Sequence, residues 1–202
     1  MAAKKPLPPQ TVDDLLKAML VFSRTVDQVL EARTVREAVN VSLSPSKVQI
    51  LRLLGQKATQ TSTQIARFLG VSKPAVSQIV DSMVRAKLVT RKPATADRRE
   101  VHLRLTKKGK DMFNAIRREQ RHCVRNTVRT TSRAELKRWA DALNTMSQAV
   151  GRADDAYQQF CAQCGAHTND SCVLVGGKSK CLFTKYTEKA SSRKLAAASR
   201  TK

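Results

Sequence analysis

Residues 61–106, TSTQIARFLGVSKPAVSQIVDSMVRAKLVTRKPATADRREVHLRLT, constrain the fold more than any other stretch of the chain. Thr61 and Gln64 form a T-x-x-Q capping box, in which the hydroxyl accepts from the third helical amide and the amide side chain reaches back to the Thr61 N–H. That pattern predicts a helix starting at Ser62 with Ile65, Ala66 and Leu69 turned inward. Gly70 follows where helices commonly end in a left-handed residue. Ser72 caps a second helix, whose early Pro74 is tolerated because first-turn amides have no intrahelical acceptor. Val76, Ile79, Val80, Met83, Val84 and Leu88 share one stripe of that helix, and Lys73, Ser77, Gln78, Asp81 and Arg85 take the opposite face. A filled core face behind a short, polar, basic outer face suits insertion into a major groove. Val101, Leu103 and Leu105 then alternate with His102 and Arg104, the periodicity of a strand with one buried face. Leu88 to Lys92 can pair with it, leaving Pro93 to Glu100 as a solvated hairpin tip. Helix, two-residue turn, helix and basic hairpin make a winged helix.

The strings LSPSKVQILRLL (43–54), IARFLGVSKPAVSQIVDSMVRAKLVTR (65–91) and ADRREVHLRLTKKG (96–109) resemble the MarR-type winged-helix transcriptional regulators in order and spacing. The resemblance covers roughly residues 10 to 150 and implies a double-stranded DNA partner. It also implies a homodimer on a pseudo-palindromic operator, repression as the sign of regulation, and a small-molecule effector held near the dimer interface, which no residue here identifies. The fold expected is mainly α with a small β-hairpin wing, a winged helix-turn-helix flanked by long N- and C-terminal dimerisation helices.

The rest of the chain divides around this module. Residues 1–10 read as a Pro-rich disordered tail, and residues 11–158 as the winged-helix domain, with 44–106 as its DNA-binding part. Thr11 can cap a helix running to about Ala32, followed by a short helical turn over 35–41. Ser44-Pro45 is a clean start for a helix ending near Gly55. Thr106 caps a helix to about Arg129 with an inner stripe of Met112, Phe113, Ile116, Cys123, Val124 and Val128, and Cys123 is expected to be a buried thiol. Ser132 and Glu135 form a further capping box. By resemblance, residues 11–33 and 107–158 supply the dimer interface.

Phosphate contacts are expected from Lys47, Arg91 and Lys92 and from the helix-start amides near Ser62 and Ser72. On the outer face of the second helix, Lys73 can donate to guanine, Gln78 can pair bidentately with adenine and Ser77 can adapt to either. Pro74 and Ala75 present apolar surface to a thymine methyl. Arg98 and Arg99 suit a narrowed minor groove. The resemblance implies that Asp97 holds one wing arginine, which leaves Arg99 for insertion.

Cys161, Cys164, Cys172 and Cys181 are spaced C-x2-C-x7-C-x8-C within residues 159–183. Four thiolates can close a tetrahedral zinc site or hold an iron–sulfur cluster, and a thiol switch is the third alternative. Residues 184–202, with six Lys or Arg and one Glu, read as a basic disordered tail.

The formal charge of +22 over 202 residues implies a polyanionic partner, nucleic acid first and an anionic membrane surface second. Residues 41–110 alone carry 15 Lys or Arg against 3 Asp or Glu, so over half the net charge sits on the module and its flanks. This balance keeps open a second reading, an architectural protein that coats DNA by charge. No apolar run approaches the roughly 18 residues of a membrane span and no leader pattern is apparent, so a cytoplasmic protein without membrane contact is expected. The three histidines (His102, His122, His167) are dispersed, and neither a catalytic triad nor a Gly-rich phosphate loop occurs. Catalysis is not expected.

Overall fold

The computed structural model describes residues 8–39, 42–56, 59–93 and 101–151. Two compact units divide the chain, one of residues 1–43 and 114–129, the other of residues 44–113 and 130–202.

In the first unit, α1 (Pro9–Thr25), a π-helical segment (Val26–Arg33) and α2 (Thr34–Ala38) follow one another without a break. The helix begins at Pro9, two residues before the expected Thr11 cap, and Thr11 N–H donates instead to the Pro8 carbonyl at 3.0 Å. Proline suits this start, since its fixed φ is helical and its missing N–H would be unpaired there. In place of the separate turn expected over 35–41, α2 continues the preceding helix as far as Ala38, with Thr34 and Val35 buried. The wider π winding exposes the Leu30 carbonyl to side chains, a local departure of the kind often found at helix irregularities. It accepts from the Thr34 hydroxyl and, at 3.0 Å, from Gln120 Nε2. Gln120 lies on α6 (Lys107–Thr127), whose residues from Asn114 onward belong to this unit. No residue of α1 is buried.

The second unit is the winged helix. It comprises α3 (Pro45–Gln56), β1 (Gln60–Thr61), α4 (Ser62–Leu69), α5 (Lys73–Arg85), β2 (Val89–Pro93), β3 (Val101–Leu105), the opening turns of α6, and α7 (Arg133–Gly151). The three strands run antiparallel in the order β1-β3-β2, with Gln60 opposite Leu103 and Arg91 opposite Leu103 on the other edge. Ile50, Leu51, Leu53, Ile65, Phe68, Val76, Val80, Met83 and Leu103 are sealed from solvent between α3, α4, α5 and the sheet. Each such side chain contributes about 1.5–3 kcal/mol relative to exposure.

Several inward assignments move. In α4 it is Phe68 that is fully buried, while Leu69 is only half-buried, because the helix packs its 65–66–68 edge on the core. Val101 is 42% exposed at the outer end of β3, so only Leu103 and Leu105 face inward. Gly55 is inside α3, not beyond its end. It is needed there because a Cβ would lie 2.6 Å from the Phe113 ring. Along α6, Phe113 and Ile116 are buried, but Cys123 is only partly covered and Val124 is exposed, and the helix ends at Thr127. The Ser132–Glu135 box forms, with Glu135 N–H donating to Ser132 Oγ at 3.2 Å, yet no residue of α7 is buried and Trp139 is 51% exposed.

Candidate nucleic-acid interface

The two helices at the heart of the module are capped as their residues dictate. Gln64 N–H donates to Thr61 Oγ1 at 3.3 Å and Thr61 N–H donates to Gln64 Oε1 at 2.8 Å, closing the box. Gly70 ends α4 at φ 67°, and after Val71 the chain re-enters a helix at Ser72, whose hydroxyl accepts from Ala75 N–H at 3.4 Å. The short turn between α4 and α5 follows directly from these two caps.

On α5 the structure separates the two faces. Val76, Val80 and Met83 are buried, whereas Lys73, Pro74, Ser77 and Gln78 are exposed and Ala75 is partly so. Five residue types suited to base edges therefore share one open surface on the first two turns of a rigid helix. Ser62 and Ser72 stand at the N-termini of α4 and α5, where unpaired amides favour an anion. Lys47 is partly buried on the first turn of α3.

The wing strands are tied to α5 from its C-terminal end. Leu88 N–H donates to Met83 O at 2.9 Å and Lys87 N–H to Val84 O at 2.9 Å, the paired bonds that close a helix through a left-handed residue. Lys87 fills that position at φ 59° despite carrying a Cβ. Thr106 then fastens this turn to α6: its hydroxyl donates to Lys87 O at 2.6 Å and accepts from Gly109 N–H at 3.1 Å, and its N–H donates to Leu88 O at 3.0 Å. Lys108 Nζ adds a bond to Ala86 O at 3.1 Å. The approach is close enough that a Cβ on Gly109 would stand 2.1 Å from Leu88 O.

Arg91, expected at a phosphate, has a protein partner: its Nη2 lies 2.6 Å from Asp81 Oδ1, so the outer face of α5 is linked to β2. Asp81 was legible as an outer-face residue but not as this anchor, because the pairing joins positions ten apart through the turn at Lys87. Lys92 is exposed beside it, opposite His102. Strand β1 was also missed, since two polar residues show no periodicity and Thr61 reads as a cap alone. The wing-tip residues Asp97, Arg98 and Arg99, and Cys161, Cys164, Cys172 and Cys181, lie outside the described residues.

A three-helix core closed by a three-stranded sheet, with an open polar helix face beside a basic strand pair, defines a winged helix-turn-helix protein. Residues 41–100 match the MarR family. The chain is 27% identical over 106 residues, half of its length and 69% of the relative's, to the HTH-type transcriptional regulator MhqR of Bacillus subtilis. Among solved structures, RV1404 of Mycobacterium tuberculosis superposes with a TM-score of 0.59 at 26% identity, covering 69% of this chain and 94% of that one. FabT of Streptococcus pneumoniae, solved in complex with DNA, superposes with a TM-score of 0.55 at 22% identity, covering 73% of this chain and all of that one. Residues 41–100 are thus similar to the MarR family, whose members are transcription regulators and not enzymes. Among the described residues no helix is long and apolar enough to cross a membrane.

Proposed function

We propose that the chain is a sequence-specific double-stranded DNA-binding regulator that acts in the cytoplasm as a homodimer and represses transcription at a pseudo-palindromic operator. The observation that carries this reading is the first half of α5, where Lys73, Pro74, Ser77 and Gln78 stand open on a helix whose other face is sealed. Lys73 and Gln78 are the donors for guanine and adenine edges, with Ser77 between them. Thr106 and Gly109 hold the wing strands at a fixed angle to that helix. The solved relative FabT in complex with DNA supports the partner.

A second copy of the chain is supported by the apolar residues left uncovered on α1. Leu15, Leu16, Leu20, Val21 and Phe22 are all about half-exposed, and an open groove of about 530 Å³ runs along Lys17, Val21 and Phe22. A contiguous exposed apolar surface of this kind marks an interaction site. An effector near that interface belongs to the same reading. The four cysteines at 161, 164, 172 and 181 supply a zinc site, with an iron–sulfur cluster as the alternative occupant of the same thiolates.

The test is selection of bound sequences from a random duplex pool by the full chain, with metal analysis of the same sample. A recovered inverted repeat whose affinity falls about tenfold or more on Gln78→Ala, as loss of a bidentate base contact requires, supports the reading. Binding that is equal across sequences and unmoved by Gln78→Ala overturns it in favour of charge-driven coating, which the +22 charge would sustain.

A further inference from the structure

The second half of α6 carries basic charge that the winged helix does not use. Arg118, Arg121 and Arg125 recur at i, i+3 and i+7, which sets them on one face, and Arg129 follows in the turn after the helix. All four are exposed. Three exposed helical cations elsewhere in the described residues are matched one turn away by an acid, Arg33 with Glu37 at 2.7 Å, Lys107 with Asp111 at 3.2 Å and Lys137 with Asp141 at 2.5 Å, whereas others such as Lys17, Arg36 and Lys110 stand singly and not in a stripe. None of these four arginines has an acidic partner among the described residues. The one acid in residues 117–129, Glu119, stands 3.7 Å from His122 Nδ1.

Like charges at this spacing oppose helix formation. The helix dipole compensates cations only in the last turn, which accounts for Arg125 and Arg129 but not for Arg118 and Arg121. An unbalanced stripe on a surface helix calls for an external anion. From Arg118 to Arg125 it spans about 10 Å along the helix axis. A duplex strand presents a phosphate about every 3.4 Å of its axis, so about three phosphates face three guanidiniums. Neither a membrane nor a single strand fits as well. Asn114, His122 and Asn126 flank the stripe on one side, the single exposed large apolar residue of α6, Val124, does not amount to the apolar face an interfacial helix inserts, and the only aromatic residue of α6, Phe113, is buried away from any base.

We propose that the Arg118–Arg121–Arg125 face of α6 is a second DNA-binding surface, which grips the phosphate backbone of duplex DNA without reading bases. It rests on the DNA-binding reading above, but it adds a contact in a different unit of the chain from the helix-turn-helix. Its role is to supply affinity that is independent of sequence.

The experiment compares the full-length wild type with a variant combining Arg118→Gln, Arg121→Gln and Arg125→Gln, and with the corresponding triple Lys variant that keeps the charge. Affinity for a sequence-neutral duplex is measured against salt between 50 and 200 mM, with circular dichroism confirming equal helicity. Each phosphate contact contributes about 0.9 to the slope of log affinity on log salt. The Gln variant should lose about 2.7 for each protomer in contact with the duplex, so its affinity should fall about 40-fold less per contacting protomer over that range. The Lys variant should keep the wild-type slope, and all three proteins should keep the same ratio of specific to non-specific affinity on a selected site. Equal slopes in wild type and a folded Gln variant overturn the proposal, as does an arginine-dependent affinity for double-stranded RNA or anionic vesicles with the DNA slope unchanged. If the Gln variant loses helicity, the single Arg121→Gln change, expected to lower the slope by about 0.9, decides the matter. A wild type without sequence preference would overturn the regulator reading and leave the slope comparison standing.

Discussion

Replacing Gly109 by Ala sets helix propensity against tertiary contact, with opposite signs. Gly109 lies in the first turn of α6, and in a helix an Ala is favoured over Gly by about 1 kcal/mol. If only local preference mattered, the substitution would stabilise the protein by up to about that amount. The structure predicts the reverse. The new Cβ would stand 2.1 Å from Leu88 O and 3.1 Å from Leu88 C, and backbone cannot rotate away as a side chain can. Relieving the clash requires α6 to lift off the turn at 87–88. That movement strains the Thr106 N–H bond to Leu88 O at 3.0 Å and the Thr106 hydroxyl bond to Lys87 O at 2.6 Å. Overpacking of this kind costs about 1–3 kcal/mol and each weakened bond about 1 kcal/mol, so a net loss of about 2–4 kcal/mol is expected. Urea unfolding of the purified variant, monitored by far-ultraviolet circular dichroism with the m-value checked for constancy, measures it. A variant as stable as the wild type, or more so, would refute the claim that Gly109 is present because of the close approach of Leu88.

Three further substitutions probe neighbouring features. Thr61→Ala removes the hydroxyl that accepts from Gln64 N–H and should cost about 1 kcal/mol in urea unfolding, with Thr61→Ser restoring most of it. Lys87→Gly relieves a side chain held at φ 59° and should raise the unfolding free energy by about 0.5–1 kcal/mol, and a loss would show that the Lys87 side chain contributes more than its backbone costs. Asp81→Ala frees Arg91 from the 2.6 Å ion pair. Because both partners are over two-fifths exposed, stability should fall by less than about 1 kcal/mol. Non-specific DNA affinity should rise, with a salt slope steeper by about 0.9 if Arg91 then reaches a phosphate. An unchanged slope would mean that Arg91 serves only to tie β2 to α5.

What short stretches of the sequence determined by themselves are the features whose partners lie within one turn of the chain. The Thr61–Gln64 box, the Gly70 stop, the Ser72 cap and the Ser132–Glu135 box each join groups three residues apart or fix a single φ, so composition at a fixed offset is enough. The division of α5 into a buried and an open face is of the same kind, since helical spacing alone places Val76, Val80 and Met83 opposite Ser77 and Gln78. The tertiary structure decided whatever depends on two distant backbones meeting. Phe68 rather than Leu69 fills the core because α3 and the sheet approach that edge of α4. Gly55 and Gly109 are required by Phe113 and by Leu88 O, which nothing in their own neighbourhoods announces. Strand β1 exists because β3 offers it an open edge, and Asp81 and Arg91 meet because a left-handed lysine turns β2 back along α5. Local chemistry determined which helix face is open to DNA, and packing decided how rigidly the wing is held beside it.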